Sequence, residues 1–168
     1  RGIKMVPTEA YLGKAGTPGI DREPSLLRNT YNMEEELYEV IMNIKEEYER
    51  IAPEIIEHKE LYTEDAELIV IAHGVVSRAV EGAVKALREE GVKVGFFRPI
   101  TLRPFPSNEL KELAGKVKNL LIVESAAGQL DKIVKQEIYG VTTPIANYFR
   151  PGEGITVEEV IEQVRKLV

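Results

Sequence analysis

Apolar and polar positions change their rhythm partway along the chain. Met33, Leu37, Val40, Ile41, Ile44, Tyr48 and Ile51 recur every three or four residues, the spacing that gathers side chains on one face of a helix. Asn32, with Glu35 three positions on, supplies a start signal and Pro53 a stop, so the pattern predicts an amphipathic helix ending near Pro53. From about residue 56 short apolar runs alternate with helical stretches. LIVIAH at 68–73, VKVGFFR at 92–98, NLLIVE at 119–124 and PIANYF at 144–149 read as strands. Val76, Ala79, Val80, Ala83 and Leu87 share one face of a helix that Gly91 ends. Leu110, Leu113 and Ala114 mark a short helix for Ser107 to cap, and Leu130, Ile133, Val134 and Ile138 mark another. Thr156 and Glu159 form a capping box for a last helix bearing Val160, Ile161, Val164 and Leu167. Strands alternating with crossover helices define an α/β fold.

Gly2, Pro7, Gly13, Gly16, Pro18, Gly19 and Pro24 break any periodicity before residue 31, which reads as a linker. The organisation predicted is therefore an arm plus amphipathic helix at 1–55 and one domain at 56–168, as 168 residues allow. The helix suits either packing on its own domain or docking against a partner.

Composition narrows the function. The apolar runs are too short for a bilayer span, and Arg1 with no charged-then-apolar leader after it points to a piece of something longer. The net charge of −6 is spread with Lys and Arg interspersed among Glu, which argues against a nucleic-acid or anionic-membrane footprint and fits an acidic cytoplasmic protein. Without cysteine the sequence can form no disulfide, thiolate zinc site or iron–sulfur cluster, so any redox centre lies elsewhere. Abundant Glu and Lys lean towards a thermophile source.

GxGxxG, GxxxxGK[ST], HExxH and GxSxG are all missing. His58 and His73 have no partner spaced for a metal, and His73 at a strand end suits a hydrogen-bonding role. Two strand-to-helix turns hold more interest: HGVVSRA at 73–79 and ESAAGQL at 124–130. Each sets a glycine and small or polar residues at a helix N-terminus, where free N–H groups and the helix dipole attract an anion. Gly74, Ser77, Arg78, Gly128 and Gln129 are the candidate ligand-binding residues. The alternative is that the glycines permit tight turns and the polar groups cap helices.

The same turns stand in a longer pattern: EDAELIVIAHGVVSRAV, GVKVGFFRPITLRPFP, LLIVESAAGQL and RPGEGITVEEV. From about residue 60 to the end it resembles the C-terminal domain of the α subunit of 2-oxoacid:ferredoxin oxidoreductases, most specifically in Arg98-Pro99-Ile100-Thr101-Leu102 and Pro104-Phe105-Pro106. The resemblance implies a transketolase C-terminal-like fold, a three-layer α/β/α sandwich. Its five-stranded, mostly parallel sheet would have order 1-3-2-4-5, with strand 1 antiparallel at about 57–62. The 68–73 strand would then be internal, and the turns at Gly74 and Glu124 would meet at one crevice.

It also implies a structural and assembly role in an enzyme converting a 2-oxoacid and CoA, with oxidised ferredoxin, to an acyl-CoA, carbon dioxide and reduced ferredoxin. Thiamine diphosphate, magnesium and iron–sulfur clusters would be held by the other α-subunit segment, the β subunit and an iron–sulfur subunit, and this chain alone would be silent. His73, Val75 and Arg103 depart from the residues commoner in that family, while ESAAGQ leans towards members using 2-oxoglutarate or branched-chain 2-oxoacids. Competing readings are the C-terminal domain of a transketolase-like enzyme or 2-oxoacid dehydrogenase β chain, and a stand-alone anion- or nucleotide-binding module.

Overall fold

The computed structural model describes residues 30–168, so most of the expected Gly/Pro-rich arm lies outside the described residues. The chain divides into two units, Arg1–Glu49 and Arg50–Val168, with the division falling inside helix α1 (Glu34–Ile55). The helix ends near Pro53 as expected, with the proline itself in its last turn. A proline there forfeits one backbone bond, and the Ile56 N–H still reaches the Ala52 carbonyl at 3.2 Å.

In the second unit the order is β1 (His58–Leu61), β2 (Leu68–Ile71), α2 (Val76–Glu89), β3 (Val94–Pro99) and α3 (Ser107–Ala114). There follow β4 (Asn119–Glu124), α4 (Gln129–Glu137), β5 (Ile145–Phe149) and α5 (Val157–Arg165). The strands form one sheet in the order β1-β3-β2-β4-β5. β1 runs antiparallel to β3, and the remaining pairs are parallel. This is the α/β architecture expected, with β2 internal.

All four residues of β2 are buried, yet they serve two cores because successive side chains point to opposite faces. Leu68 and Val70 pack with Val80, Ala83 and Leu87 of α2 and Val160 and Val164 of α5. Ile69 and Ile71 pack with Leu110 and Leu113 of α3 and Leu130 and Val134 of α4. Two helices thus cover each face, which explains why the strands read as unbroken apolar runs. Gly95 lets the neighbouring loop close over β3: a Cβ there would stand 2.7 Å from Ile69 Cδ1 and 2.8 Å from the Tyr62 carbonyl oxygen.

The RPITLRPFP block works as a clamp. Backbone N–H groups of Ile100 and Thr101 donate to the Glu57 carbonyl at 3.0 and 3.1 Å, and the Glu57 N–H donates to Thr101 Oγ1 at 3.0 Å. Phe105 anchors the far end in the α3/α4 core. One expectation fails here, since Pro106 occupies the N-cap of α3 and no side chain caps it. The Ser107 hydroxyl instead donates to Glu137 Oε2 at 2.6 Å, tying α3 to the end of α4. The Thr156–Glu159 capping box of α5 is present with both reciprocal bonds.

Candidate functional site

β2 and β4 are parallel neighbours, with Ile71 opposite Ile122, so the turns that leave their C-terminal ends emerge side by side. A cavity of about 210 Å³ lies there. His73, Gly74, Val75 and Val76 line one wall, and Glu124, Ser125, Ala126 and Gln129 the other. The hollow of about 490 Å³ along α5 is larger, but Glu158, Ile161, Glu162, Arg165 and Lys166 all come from that helix and its end, so no groups converge on it from a second element.

Of the five candidate residues, Gly74 and Gln129 line the cavity. Gly74 has φ +61° and Gly128, the N-cap of α4, has φ +82°, a region that disfavours a Cβ. Gly128 is buried beside the Phe149 ring, where a Cβ would come within 3.5 Å of Phe149 Cε2. Ser77 is turned inward, 1% exposed, its hydroxyl donating to the Ala72 carbonyl at 3.2 Å across the start of α2. Arg78 is exposed on α2 and does not line the cavity. The two glycine turns therefore share a crevice, while the serine serves the fold.

The decisive residue is one that the sequence marked only as a strand end beside the crevice, not as a candidate site residue. Glu124, at the end of β4, is 2% exposed. Its Oε2 accepts from the N–H groups of Gln129 and Leu130, both at 3.0 Å, and its Oε1 accepts from that of Asp131 at 3.2 Å. The first turn of α4, where N–H groups have no helical partner, thus carries its own anion. The available signal was a lone acid ending the apolar run NLLIV, five residues ahead of Gln129. Backbone bonds from Arg150 N to Glu124 O at 3.1 Å and from Gly152 N to Ser125 O at 3.3 Å brace this turn against the loop after β5. At the other turn, Val75 is the N-cap of α2, no side chain caps it, and the first helical turn holds no acid.

This donor set does not fit a magnesium diphosphate. The cavity is smaller than the roughly 300–1,000 Å³ of small-molecule sites. A buried carboxylate in its wall takes the N–H groups a phosphate would need and repels its charge. Among the described residues no group of three or more His, Asp or Glu could hold a metal ion.

An α/β/α sandwich of this kind recurs in solved structures. The 2-oxoglutarate:ferredoxin oxidoreductase from Magnetococcus marinus, with 2-oxoglutarate, coenzyme A and succinyl-CoA bound, superposes with a TM-score of 0.68 at 20% identity, covering 92% of this chain and 28% of that one. A split-gene transketolase, an inactive β4 tetramer, gives 0.55 at 22% identity over 66% of this chain and 40% of that one. Residues 66–164 match the family described as pyruvate:ferredoxin oxidoreductase core domain II, and the chain belongs to that family. Both glycine turns and the RPITLRPFP clamp fall within the match; α1 falls outside it.

Among curated proteins, the ketoisovalerate oxidoreductase subunit VorB of Methanothermobacter thermautotrophicus is 33% identical over 133 residues. The 2-oxoglutarate synthase subunit KorA of Methanothermobacter marburgensis is 38% identical over 88 residues, which are 48% of this chain and 24% of that protein. The chain aligns with only 38% of the length of VorB, across 79% of its own.

Proposed function

We propose that the chain is the C-terminal assembly domain of the α subunit of a thiamine-diphosphate-dependent 2-oxoacid:ferredoxin oxidoreductase. The observation that carries this reading is the family match over residues 66–164, which takes in the whole crevice. The complete enzyme converts a 2-oxoacid and CoA to an acyl-CoA and carbon dioxide, and ferredoxin takes up the electrons. A branched-chain 2-oxoacid or 2-oxoglutarate is the substrate class favoured by similarity to subunits named for ketoisovalerate and 2-oxoglutarate.

Thiamine diphosphate stabilises the carbanion in such chemistry, and it is held by the other α-subunit segment and the β subunit. A separate iron–sulfur subunit carries the clusters, for which this sequence has no cysteine. A cytoplasmic setting belongs to the same reading, supported by the acidic, interspersed charge. The crevice at His73, Gly74 and Gln129, with Ser77 and Gly128 holding its two turns and Arg78 on the adjoining helix face, is assigned to contact with a polar group of a partner or substrate. Its size suits one small group.

Reconstitution tests this. The purified chain with 2-oxoacid, CoA, thiamine diphosphate and magnesium is expected to reduce no viologen dye. Reduction should appear when the remaining α segment and the β and cluster-bearing chains are added. Turnover by the chain alone, or none by the full set that depends on this chain, overturns the proposal.

A further inference from the structure

Helix α1 has no buried residue, although it is 22 residues long and amphipathic. Met33 is 63% exposed, Leu37 40%, Ile41 53%, Ile44 62% and Ile55 47%. From Leu37 the apolar positions continue through Ile41, Ile44, Tyr48, Ile51 and Ile55 in alternating steps of four and three. That period forms a seam for seating against another surface.

Charge selects the occupant. Glu34–Ile55 holds eight glutamates against Lys45 and Arg50, and Lys45 is paired with Glu49 at 2.9 Å. The whole chain has 28 acids and 22 bases, so removing this helix leaves twenty of each, and the entire net charge of −6 resides in α1. A second copy would bring eight more glutamates alongside a helix about 33 Å long, opposing self-pairing. The complementary surface is an apolar groove rimmed by lysine or arginine.

We infer that α1 docks, apolar stripe inward, into such a basic-rimmed groove on protein lying outside these 168 residues. The inference rests on the reading of the chain as part of a multi-chain enzyme, and the experiment separates the two. A photoreactive benzoylphenylalanine replaces Ile41 in the assembled oxidoreductase, and cross-linked peptides are identified after confirming that the assembly turns over. Cross-links to a lysine- or arginine-bearing segment outside the 168 residues are expected. Cross-links confined to residues 1–168 of the same or a second copy overturn the docking inference while leaving the functional reading intact.

Two variants sharpen the result. Leu37→Glu/Ile41→Glu/Ile44→Glu replaces only exposed residues, so the α/β unit should keep its thermal midpoint, whereas retention in the assembly should fall at least tenfold. Glu46→Lys/Glu49→Lys should weaken retention most at low salt, where screening is least. Undiminished retention of both variants overturns the inference.

Discussion

The turns after β2 and β4 look alike and are built differently. Both follow buried parallel strands, both turn through a glycine with positive φ, and both open a helix at the same cavity. His73 lines that cavity from the turn after β2 and Glu124 from the end of β4. One turn thus has an imidazole where the other has a carboxylate that folds back over three N–H groups. A glycine turn at a helix N-terminus marks a place suited to negative charge; whether that place accepts a ligand depends on whether the chain has already filled it. At α4 it is filled.

Replacing Glu124 is the strongest way to break this contrast. Glu124→Ala strands the N–H groups of Leu130 and Asp131 in a buried site, so a loss of about 3 kcal/mol is expected, read by urea unfolding. Glu124→Gln keeps one acceptor oxygen and should lose about half as much. Formate at a few hundred millimolar should restore about 1 kcal/mol to the alanine variant, by occupying the vacated N–H groups, and leave the wild type unchanged. A loss below 1 kcal/mol, or equal rescue of both proteins, would show that the carboxylate is not what holds α4.

The glycines give the next largest effect. Gly74→Ala and Gly128→Ala each force a Cβ into the left-handed region at a cost of about 1–2 kcal/mol. Around Gly74 a Cβ would meet nothing within 4 Å, and at Gly128 it would make ordinary contact with Phe149, so strain alone should act and the two losses should match. Much the smaller loss at Gly74 would mean that the β2 turn relaxes, unlike its braced counterpart.

Which parts were legible in the sequence follows from how local their causes are. The strands at 68–73 and 119–124 were readable because both faces of the sheet are covered, leaving unbroken apolar runs. The capping box at Thr156 was readable because its partner is three residues away. The strand order came through the resemblance carried by the RPITLRPFP block, whose hydrogen bonds reach back to Glu57, 44 residues from Thr101, beyond any local pattern. Ser107 was misjudged for the same reason, since its hydroxyl goes to Glu137 on another helix. Glu124 was legible only as the strand end beside the crevice and not as a cap, because only the fold returns the α4 N-terminus to its carboxylate.

The smallest effect contrasts that buried cap with the local one on α5. Glu159 is held below the usual carboxylate value of 4.5, chiefly by the Thr156 backbone N–H and further by Tyr148 and Arg150. Because the folded-state pKa is depressed, the stability it contributes is present above about pH 4.5 and is lost as pH falls through the lower folded value. Glu67, Glu81 and Glu112 are lowered in the same sense by Lys118, Lys85 and Lys116, so acid destabilisation of the wild type is a sum over several groups. Glu159→Gln isolates one of them, since it retains an oxygen to accept from Thr156 but cannot ionise. At pH 7 the variant should melt slightly below the wild type, and the gap should close as pH falls well below 4.5, where Glu159 becomes protonated. A gap of the same size at both ends of the range would assign the loss to packing of the side chain between Thr156 and Tyr148 and leave charge no part in capping α5.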